Sequence, residues 1–161
     1  MTSICEDILT FTEPETRWLS NMSYVKIEYD GIVYPSTENF YQAMKYESGW
    51  IFDDTPTRKN IRKMISLMKP HESKKFSKEN QMTSEDFERN KVKIMLFAQR
   101  QKFKQEPFRT KLLNTGNCLL EEGNWWGDSF WGVDIKTREG QNVLGKLIMQ
   151  VREEIRNESL F

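Results

Sequence analysis

Residues 24–36 have the spacing of a two-stranded β-hairpin. Tyr24–Tyr29 is rich in aromatic and β-branched residues, and Ile32–Tyr34 repeats that character after a short break. The break is Asp30-Gly31, a dipeptide favoured in two-residue hairpin turns because both positions require positive φ. Pro35 has no amide hydrogen and is predicted to end the second strand.

The next segments have the three-to-four-residue spacing of amphipathic helices. Ser36 or Thr37 can cap a first helix that reaches about Tyr46. A second helix begins at Thr57 and is ended by Pro70. Its apolar residues recur at i, i+3, i+4 and i+7, namely Ile61, Met64, Ile65 and Met68.

A polar segment separates these helices from the next ones. Lys69–Asn80 predicts a loop, and Ser84 is a suitable N-cap for a third helix. The side chains of that helix expected to face inward are Val92, Met95, Leu96 and Phe103. Pro107 opens a short fourth helix, and Gly116 is its predicted C-cap.

The last periodic segment runs from about Gln141 to Ile155. Its apolar arc is Val143, Leu144, Leu147, Ile148, Val151 and Ile155. Before it, Gly123–Gly140 mixes Gly, Asn and Asp with large aromatic residues and predicts a structured loop region. About five helices and one hairpin predict a predominantly helical α+β fold, and residues 1–161 are expected to form one compact domain.

Charge and cysteine content narrow the functional classes. Basic and acidic residues each total 24, but residues 56–111 hold 16 basic and 6 acidic side chains. That stretch could face a phosphate-bearing partner such as nucleic acid, although solvated helix faces are the favoured explanation. One histidine, two cysteines without a CxxC pair and no long apolar run disfavour zinc clusters, thiol redox chemistry and a membrane span. Because the N-terminus also lacks signal-peptide features, a cytoplasmic protein is expected.

One face of the first predicted helix carries a candidate chemical site. At about 100° per residue, Tyr41, Gln42 and Lys45 stay within one arc around Glu38. The opposite arc is formed by Phe40, Ala43 and Met44. Spacing alone favours an ordinary solvated face with helical polar pairs over a site.

The segment Gly123–Gly132 is a second candidate because it contains three tryptophans. They could form an aromatic wall for a planar base, with Asp128 as the polar group. Alternatively, the indoles pin the loop to the core. The local sequence does not separate these two interpretations.

Two shorter segments add candidate ligand contacts. Arg17 could hold a phosphate, and Ser20 and Asn21 could hydrogen-bond a sugar, although the same residues suit a turn. Asn142 stands at the start of the last helix, where free N–H groups attract anions. An ordinary first-turn residue is the favoured alternative there.

Taken together, these motifs resemble the NADAR family, also called the YbiA-like family. The similarity extends from about Phe11 to Arg152, with the motifs in order. Its most specific parts are Glu-x-x-Tyr-Gln-Ala-x-Lys at residues 38–45 and Asn-x-Leu-Gly at residues 142–145. The other matching strings are Trp18–Met22, Tyr34–Glu38, Ile94-Met95, Lys102-Phe103, Leu112–Gly116, Asp128–Gly132 and Gly140–Arg152.

The resemblance implies an N-glycosidase that hydrolyses a bond between ribose C1′ and nitrogen, without a metal or other cofactor. It implies two substrate classes: ADP-ribose on guanine, as nucleoside or in nucleic acid, and ribose 5-phosphate on a pyrimidine nitrogen of the riboflavin pathway. The expected partner is therefore a small-molecule or nucleic-acid-linked ribosyl substrate. A non-catalytic module that binds ADP-ribose or NAD-type nucleotides is the alternative.

The resemblance also implies roles for single residues. Glu38 matches the active-site glutamate, Asp128 the acid before the Trp-Gly pair, and Lys45 the helix lysine. The candidate substrate-binding residues, from the motifs and the resemblance together, are Arg17, Ser20, Asn21, Tyr41, Phe87, Trp131, Gly132 and Asn142. Phe87 stands where many members have Trp, which keeps stacking but loses an indole N–H, and Met22 replaces the usual Phe. These departures concern the choice of substrate more than the reaction.

Overall fold

A computed structural model describes residues 7–47, 55–80 and 85–158, and this part of the chain contains six α-helices and six short strands. The strands are β1 (Ile8–Thr10), β2 (Tyr24–Tyr29), β3 (Ile32–Ser36), β4 (Leu119–Glu121), β5 (Gly123–Asn124) and β6 (Val133–Asp134). The helices are α1 (Thr37–Met44), α2 (Thr55–Ser66), α3 (Pro70–Glu79), α4 (Glu85–Phe103), α5 (Phe108–Asn114) and α6 (Val143–Glu158). The predicted fold class, predominantly helical α+β, is confirmed.

The elements belong to two compact units. The central unit, residues 21–98, contains the β2–β3 hairpin, α1, α2, α3 and most of α4. The terminal unit, residues 7–20 and 99–158, contains the end of α4 and all other elements. The chain passes between the units at Ser20–Asn21 and within α4. The single domain expected for residues 1–161 stays a prediction.

The β2–β3 hairpin forms as predicted, with one difference at its end. Asp30 and Gly31 have φ values of 51° and 75°, so both turn positions use the left-handed region. The second strand continues through Pro35 to Ser36, so the prediction that Pro35 ends it was wrong. Proline is tolerated there because the pairing is irregular at that point: two residues of β2 lie opposite one residue of β3.

Helix α1 begins where Ser36 caps it, as the sequence predicts. The Ser36 hydroxyl accepts a hydrogen bond from the Asn39 amide at 3.0 Å. The helix packs against α2, α3 and both hairpin strands, and all eight of its residues are buried. A helix surrounded in this way has no solvated face.

Helix α3 lies where the sequence predicts a loop, so that prediction was wrong. Pro70 occupies the first turn, where its missing N–H costs nothing, and Glu72 is an acidic first-turn residue. The helix buries Ser73 and Ser77 and packs against α1. Because the buried residues of α3 are Pro70, Ser73 and Ser77, the hydrophobic pattern gives little sign of the helix.

Helices α2 and α4 match the predicted apolar faces only in part. Ile65 is fully buried, whereas Met64 is 43% exposed, because Arg58 and Arg62 also occupy the buried face of α2. In α4, Met95 and Phe103 are buried as predicted and Leu96 is half-buried. Val92 is exposed, so the prediction that it faces inward was wrong. Ser84, the predicted N-cap, lies outside the described residues.

The terminal unit is built from short parallel strand pairs and two helices. Strand β1 pairs with β4, and β5 pairs with β6. The sequence analysis predicts the hairpin alone, so these two small sheets were not predicted. Helix α6 packs against β4 and α5, and the predicted apolar arc of α6 is buried except for half-buried Val143. Among the described residues, no helix combines the length and apolar character needed to cross a membrane.

Candidate active site

The polar face of α1 is buried and joined by hydrogen bonds. Glu38 is 8% exposed and Gln42 is 5% exposed. The Gln42 amide nitrogen donates to Glu38 Oε1 at 2.8 Å, and the Glu38 backbone N–H donates to the Asn21 carbonyl at 3.0 Å. The prediction from spacing alone, an ordinary solvated face, is therefore wrong. Glu38 is a carboxylate held in a largely dry environment.

Lys45 lies at the end of the same helix against two aromatic rings. Its Nζ is 5.6 Å from the ring centroid of Tyr41 and 5.7 Å from that of Phe87. Those rings are 5.3 Å apart at an interplanar angle of 51°. Burial lowers the pKa of Lys45, while the negative charges of Glu38 and Glu88 oppose that shift. The cluster thus brings together an ammonium, an acidic side chain within electrostatic range and an aromatic pair.

Asp128 organises the tryptophan-rich loop of the terminal unit. Its Oδ1 accepts the backbone N–H groups of Phe130 at 3.1 Å and Trp131 at 2.9 Å. Asn124 holds the backbone of Asp128 from the other side, with bonds of 2.9 and 3.0 Å. Asn124 belongs to the candidate segment Gly123–Gly132, but no role was predicted for it.

The three tryptophans of this loop differ in exposure. Trp125 is 71% exposed and Trp126 is 52% exposed, and their ring centroids are 5.0 Å apart in an edge-to-face arrangement. More than half of the surface of each of these two residues is thus exposed. Trp131 is half-buried and contacts Phe130 edge-on at 4.9 Å. Asp128 and Asn124 hold the backbone of this loop, and a contact between its tryptophans and a ligand stays a prediction.

Asn142 and Gly132 have tightly packed surroundings. Asn142 has a positive φ of 51°, its Oδ1 accepts the Glu122 N–H at 3.0 Å, and its Nδ2 donates to the Leu120 carbonyl at 2.9 Å. A Cβ on Gly132 would strike the Glu122 carbonyl and the Asn124 side chain. The Asn142 amide group therefore joins two backbone segments, and only a glycine fits at position 132.

The Arg17–Asn21 segment is a turn that forms hydrogen bonds with other elements. Arg17 is exposed and begins a short 3₁₀ turn that ends at Leu19. The Ser20 carbonyl accepts a hydrogen bond from the Lys102 ammonium at 2.9 Å. Asn21 is buried, and its amide nitrogen lies 3.5 Å from Met95 Sδ. Sequence reasoning placed Lys102 in a family motif but gave it no role.

The predicted site residues are divided between the two units. The central unit contains Asn21, Glu38, Tyr41, Lys45 and Phe87. The terminal unit contains Arg17, Ser20, Asp128, Trp131, Gly132 and Asn142. Among the described residues, no group of three or more His, Cys, Asp or Glu side chains is placed to hold a metal ion. The roles assigned to all eleven residues stay predictions.

The family model for the NADAR domain matches residues 10–156. The chain belongs to the NADAR family. The membership expected from the sequence motifs is thus confirmed, and the match includes every predicted site residue.

Two relatives of similar length are named N-glycosidases. YbiA of Escherichia coli is 31% identical over 137 residues, which cover 84% of this chain and 79% of that protein. A protein of Nostoc punctiforme is 34% identical over 140 residues, covering 86% and 85%. The NMR structure of E. coli YbiA matches this NADAR chain with a TM-score of 0.78 and 27% identity, over 99% of this chain and 90% of that one.

Two longer relatives have riboflavin names. A riboflavin biosynthesis protein of Vibrio vulnificus is 32% identical over 161 residues, covering 98% of this chain and 41% of that protein. The chloroplastic riboflavin biosynthesis protein PYRR of Zea mays is 34% identical over 133 residues, covering 78% and 20%. The NADAR chain therefore spans less than half the length of these two relatives.

Proposed function

We propose that this NADAR chain is an N-glycosidase that hydrolyses the bond between C1′ of a ribose and a nitrogen of its substituent. The observation that carries the proposal is the buried Glu38 carboxylate on the same helix as Lys45, with Tyr41 and Phe87 stacked beside the ammonium. Relatives named N-glycosidases, aligned over most of this chain, support the same reaction class.

The chemistry suits a carboxylate in a dry site. As an N-glycosidic bond breaks, positive charge develops on the ribose ring, as it does in O-glycoside hydrolysis. A carboxylate beside C1′ stabilises that charge or removes a proton from the attacking water. Because Glu38 is 8% exposed, its charge acts through a medium less polarisable than water and is more effective.

Lys45 has two roles in the proposal. Its ammonium lies in electrostatic range of Glu38, whose negative charge opposes the lowering of the Lys45 pKa by burial. The same ammonium can bind a phosphate of the substrate. Gln42 is a positioning residue, since its amide nitrogen bonds Glu38 Oε1 and fixes the carboxylate on the helix.

For Asp128 the proposal is narrower. One carboxylate oxygen of Asp128 is occupied by two backbone amides, so its charge shapes the loop that carries Trp131. Trp131 is the aromatic side chain of that loop predicted to contact substrate. The remaining predicted substrate contacts of the terminal unit are Arg17, Ser20, Gly132 and Asn142.

For the substrate we propose ADP-ribose attached to guanine, as nucleoside or in nucleic acid. The net positive charge of residues 56–111 supports a polyphosphate or nucleic-acid substrate. A ribose 5-phosphate pyrimidine of the riboflavin pathway is the second candidate, because two relatives are named riboflavin biosynthesis proteins. A non-catalytic module that binds ADP-ribose or NAD-type nucleotides is the competing function.

The test is release of an intact base, followed by chromatography and mass spectrometry. Purified wild-type protein is incubated separately with ADP-ribosylated guanosine, an ADP-ribosylated guanine oligonucleotide and a ribose-phosphate pyrimidine. Glu38→Gln is the test variant, and Glu72→Gln is the matched control because Glu72 is an exposed carboxylate in the first turn of α3. We expect Glu38→Gln to lower kcat by about 10²–10⁴-fold and Glu72→Gln to leave it unchanged.

The outcomes separate the competing functions. Cleavage of a guanine substrate supports the first candidate, and cleavage of the pyrimidine alone supports the second. Tight binding of ADP-ribose without base release from any substrate would establish the non-catalytic module instead. Cleavage by Glu38→Gln at a rate near that of the wild type would remove Glu38 from the mechanism.

A further inference from the structure

The central unit contains a pocket of about 300 Å³ between the hairpin, the end of α1 and α4. The hairpin contributes Tyr29, the end of α1 and the turn after it contribute Met44 and Glu47, and α4 contributes Ile94 and Phe97. The lining thus combines aromatic and aliphatic side chains with an acidic residue.

Two rings of this lining stand almost at right angles and form an aromatic corner. The centroids of Tyr29 and Phe97 are 6.0 Å apart, and the angle between the ring planes is 82°. Phe97 is 40% exposed and Tyr29 is half-buried, so both residues keep open surface. Phe40 is buried and supports both rings, with its centroid 5.6 Å from that of Phe97 and 5.8 Å from that of Tyr29. The face of an aromatic ring attracts a cation, and two rings set at an angle can contact the same cation from two sides.

A carboxylate lies within electrostatic range of the aromatic corner. Burial raises the pKa of the Tyr29 hydroxyl, and the negative charges of Glu47 and Asp30 raise it further, against the opposing charge of Arg62. Asp30 bonds Arg62 at 3.3 Å, whereas Glu47 is exposed and lines the pocket. Glu47 is therefore the carboxylate that a ligand in the corner would meet.

Two more charged residues line the pocket, and their charges are opposite. Asp86 adds a second carboxylate, which also binds Arg89 at 2.9 Å. Lys93 adds one ammonium from an exposed position of α4, where its long side chain can extend into water. Together with Glu47, the lining therefore has two negative charges and one positive charge, which favours a cationic ligand.

We propose that this pocket binds the alkylated ammonium group of a small organic cation. The N-methyl groups pack against Tyr29 and Phe97, and Glu47 supplies the opposite charge. An alkylated ammonium suits an aromatic corner because its charge is spread over apolar groups, so that less hydration is lost on binding than for a bare ammonium. A cavity of about 300 Å³ is at the lower end of ligand pockets and suits such a small molecule. The proposal is independent of the glycosidase activity, since this ligand has no ribose and no N-glycosidic bond.

Methyl NMR on the full chain tests the proposal with choline and with neohexyl alcohol. The two molecules have the same shape, but a carbon atom replaces the charged nitrogen in neohexyl alcohol. The resonances of the Met44 ε-methyl and the Ile94 δ1-methyl, which both line the pocket, are followed at constant ionic strength. We expect saturable shifts of both methyls with choline, and binding about fivefold weaker with neohexyl alcohol.

Variants locate the binding in the aromatic corner. Glu47→Gln should weaken choline binding about fivefold and leave the affinity for neohexyl alcohol unchanged. Glu79→Gln is the matched control, because Glu79 is an exposed carboxylate at the end of α3 that does not line the pocket. Phe97→Leu keeps an apolar side chain without the ring and should weaken choline binding about fivefold. If Phe97→Leu folds poorly, Glu47→Gln keeps the test decisive, because Glu47 is at the surface.

Lys93→Gln has the opposite expected effect. Removing the ammonium removes a repulsion, so choline should bind about twofold more tightly to Lys93→Gln than to the wild type. A weaker affinity would show that the pocket does not select positive charge.

Other results would also overturn the proposal. Absence of saturable Met44 and Ile94 shifts with choline would show that the pocket does not bind an alkylated ammonium. Equal or tighter binding of neohexyl alcohol, or an unchanged choline affinity of Glu47→Gln, would show that the charge is not recognised. Glu38→Gln should bind choline as the wild type does, so failure of this proposal and failure of the proposed reaction are distinguishable.

Discussion

Replacing Lys102 with methionine should stabilise the protein and remove much of the pH dependence of its folding above neutrality. The Lys102 side chain is 0% exposed. Its Nζ donates to the Ser20 carbonyl at 2.9 Å and lies 5.3 Å from the ring centroids of both Phe103 and Phe108. An ammonium has been taken out of water, and methionine has a similar length without the charge.

The magnitude follows from the pKa of this lysine. Burial lowers the pKa of Lys102 from 10.5 to about 7, which corresponds to about 5 kcal/mol at 1.36 kcal/mol per unit. Bonding to Ser20 and the two rings favours the ammonium, so this figure is an upper limit. Methionine also leaves the Ser20 carbonyl without this donor, at a cost of about 1–3 kcal/mol. We therefore expect Lys102→Met to raise the free energy of unfolding by about 2 kcal/mol near pH 7.

The sign of the pH dependence follows from the direction of the shift. Between pH 7 and 10.5 the unfolded chain keeps the Lys102 proton while the folded protein loses it. The unfolded state then binds more protons, so wild-type stability rises with pH, by at most about 1.4 kcal/mol per unit from this residue. Below pH 7 both states are protonated and the full destabilisation by the buried charge is present.

Urea denaturation at about pH 6.5, 8 and 9.5 measures both effects. Lys104→Met is the matched control, because Lys104 is exposed two residues further along the chain. The control should follow the wild-type pH dependence, whereas the stability advantage of Lys102→Met should shrink as the pH rises. Parallel pH profiles for wild type and Lys102→Met would refute the reasoning, since they would show that burial does not shift this lysine.

Three further substitutions test the packing. Arg58 is 6% exposed, and no guanidinium nitrogen has a hydrogen-bond partner among the described residues, so Arg58→Met should raise the free energy of unfolding by about 1–3 kcal/mol; a lower melting temperature would contradict this. Gly132→Ala should lower the free energy of unfolding measured by urea denaturation by about 3 kcal/mol, because the new Cβ meets the Glu122 carbonyl. Unchanged stability would show that the backbone can move to make room. Asn142→Ala should lower the free energy of unfolding by about 2–4 kcal/mol, because the substitution removes hydrogen bonds to Glu122 and Leu120. Calorimetry measures the loss, and a loss below about 1 kcal/mol would contradict this prediction.

The parts of the fold that could be predicted from sequence depend on local chemistry. The Asp30-Gly31 turn and the Ser36 cap need only neighbouring residues to specify them, and both are confirmed. The prediction of a loop at α3 was wrong because the helix buries Ser73 and Ser77. Small polar residues give the same sequence pattern on a solvated face and on a packed face. Helical spacing predicts which residues share a face, but the face's burial depends on distant parts of the chain.

The candidate site shows the same limit. The wheel of α1 correctly groups Glu38 with Gln42, since their bond spans one helical turn. It could not show that the face is buried, because the elements packed around α1, namely α2, α3 and the hairpin strands, are not part of the local pattern. The contacts of Asn142 lie 20 and 22 residues away, beyond any local spacing rule. Its place at a helix start and the family resemblance marked this residue as a candidate, whereas the structure shows what its side chain bonds.

Hydrogen-bond partners separate the buried polar residues of this protein into two kinds. The Asn142 side chain bonds backbone at both ends, so Asn142→Ala should lose stability and activity together. The bond between Glu38 and Gln42 joins two side chains within α1. A carboxylate in a largely dry environment has a desolvation cost that a neutral amide of the same shape does not have. Glu38→Gln should therefore unfold at a urea concentration equal to or above that of the wild type while losing turnover. If Glu38→Gln lost stability in urea and turnover in proportion, Glu38 would be a structural residue.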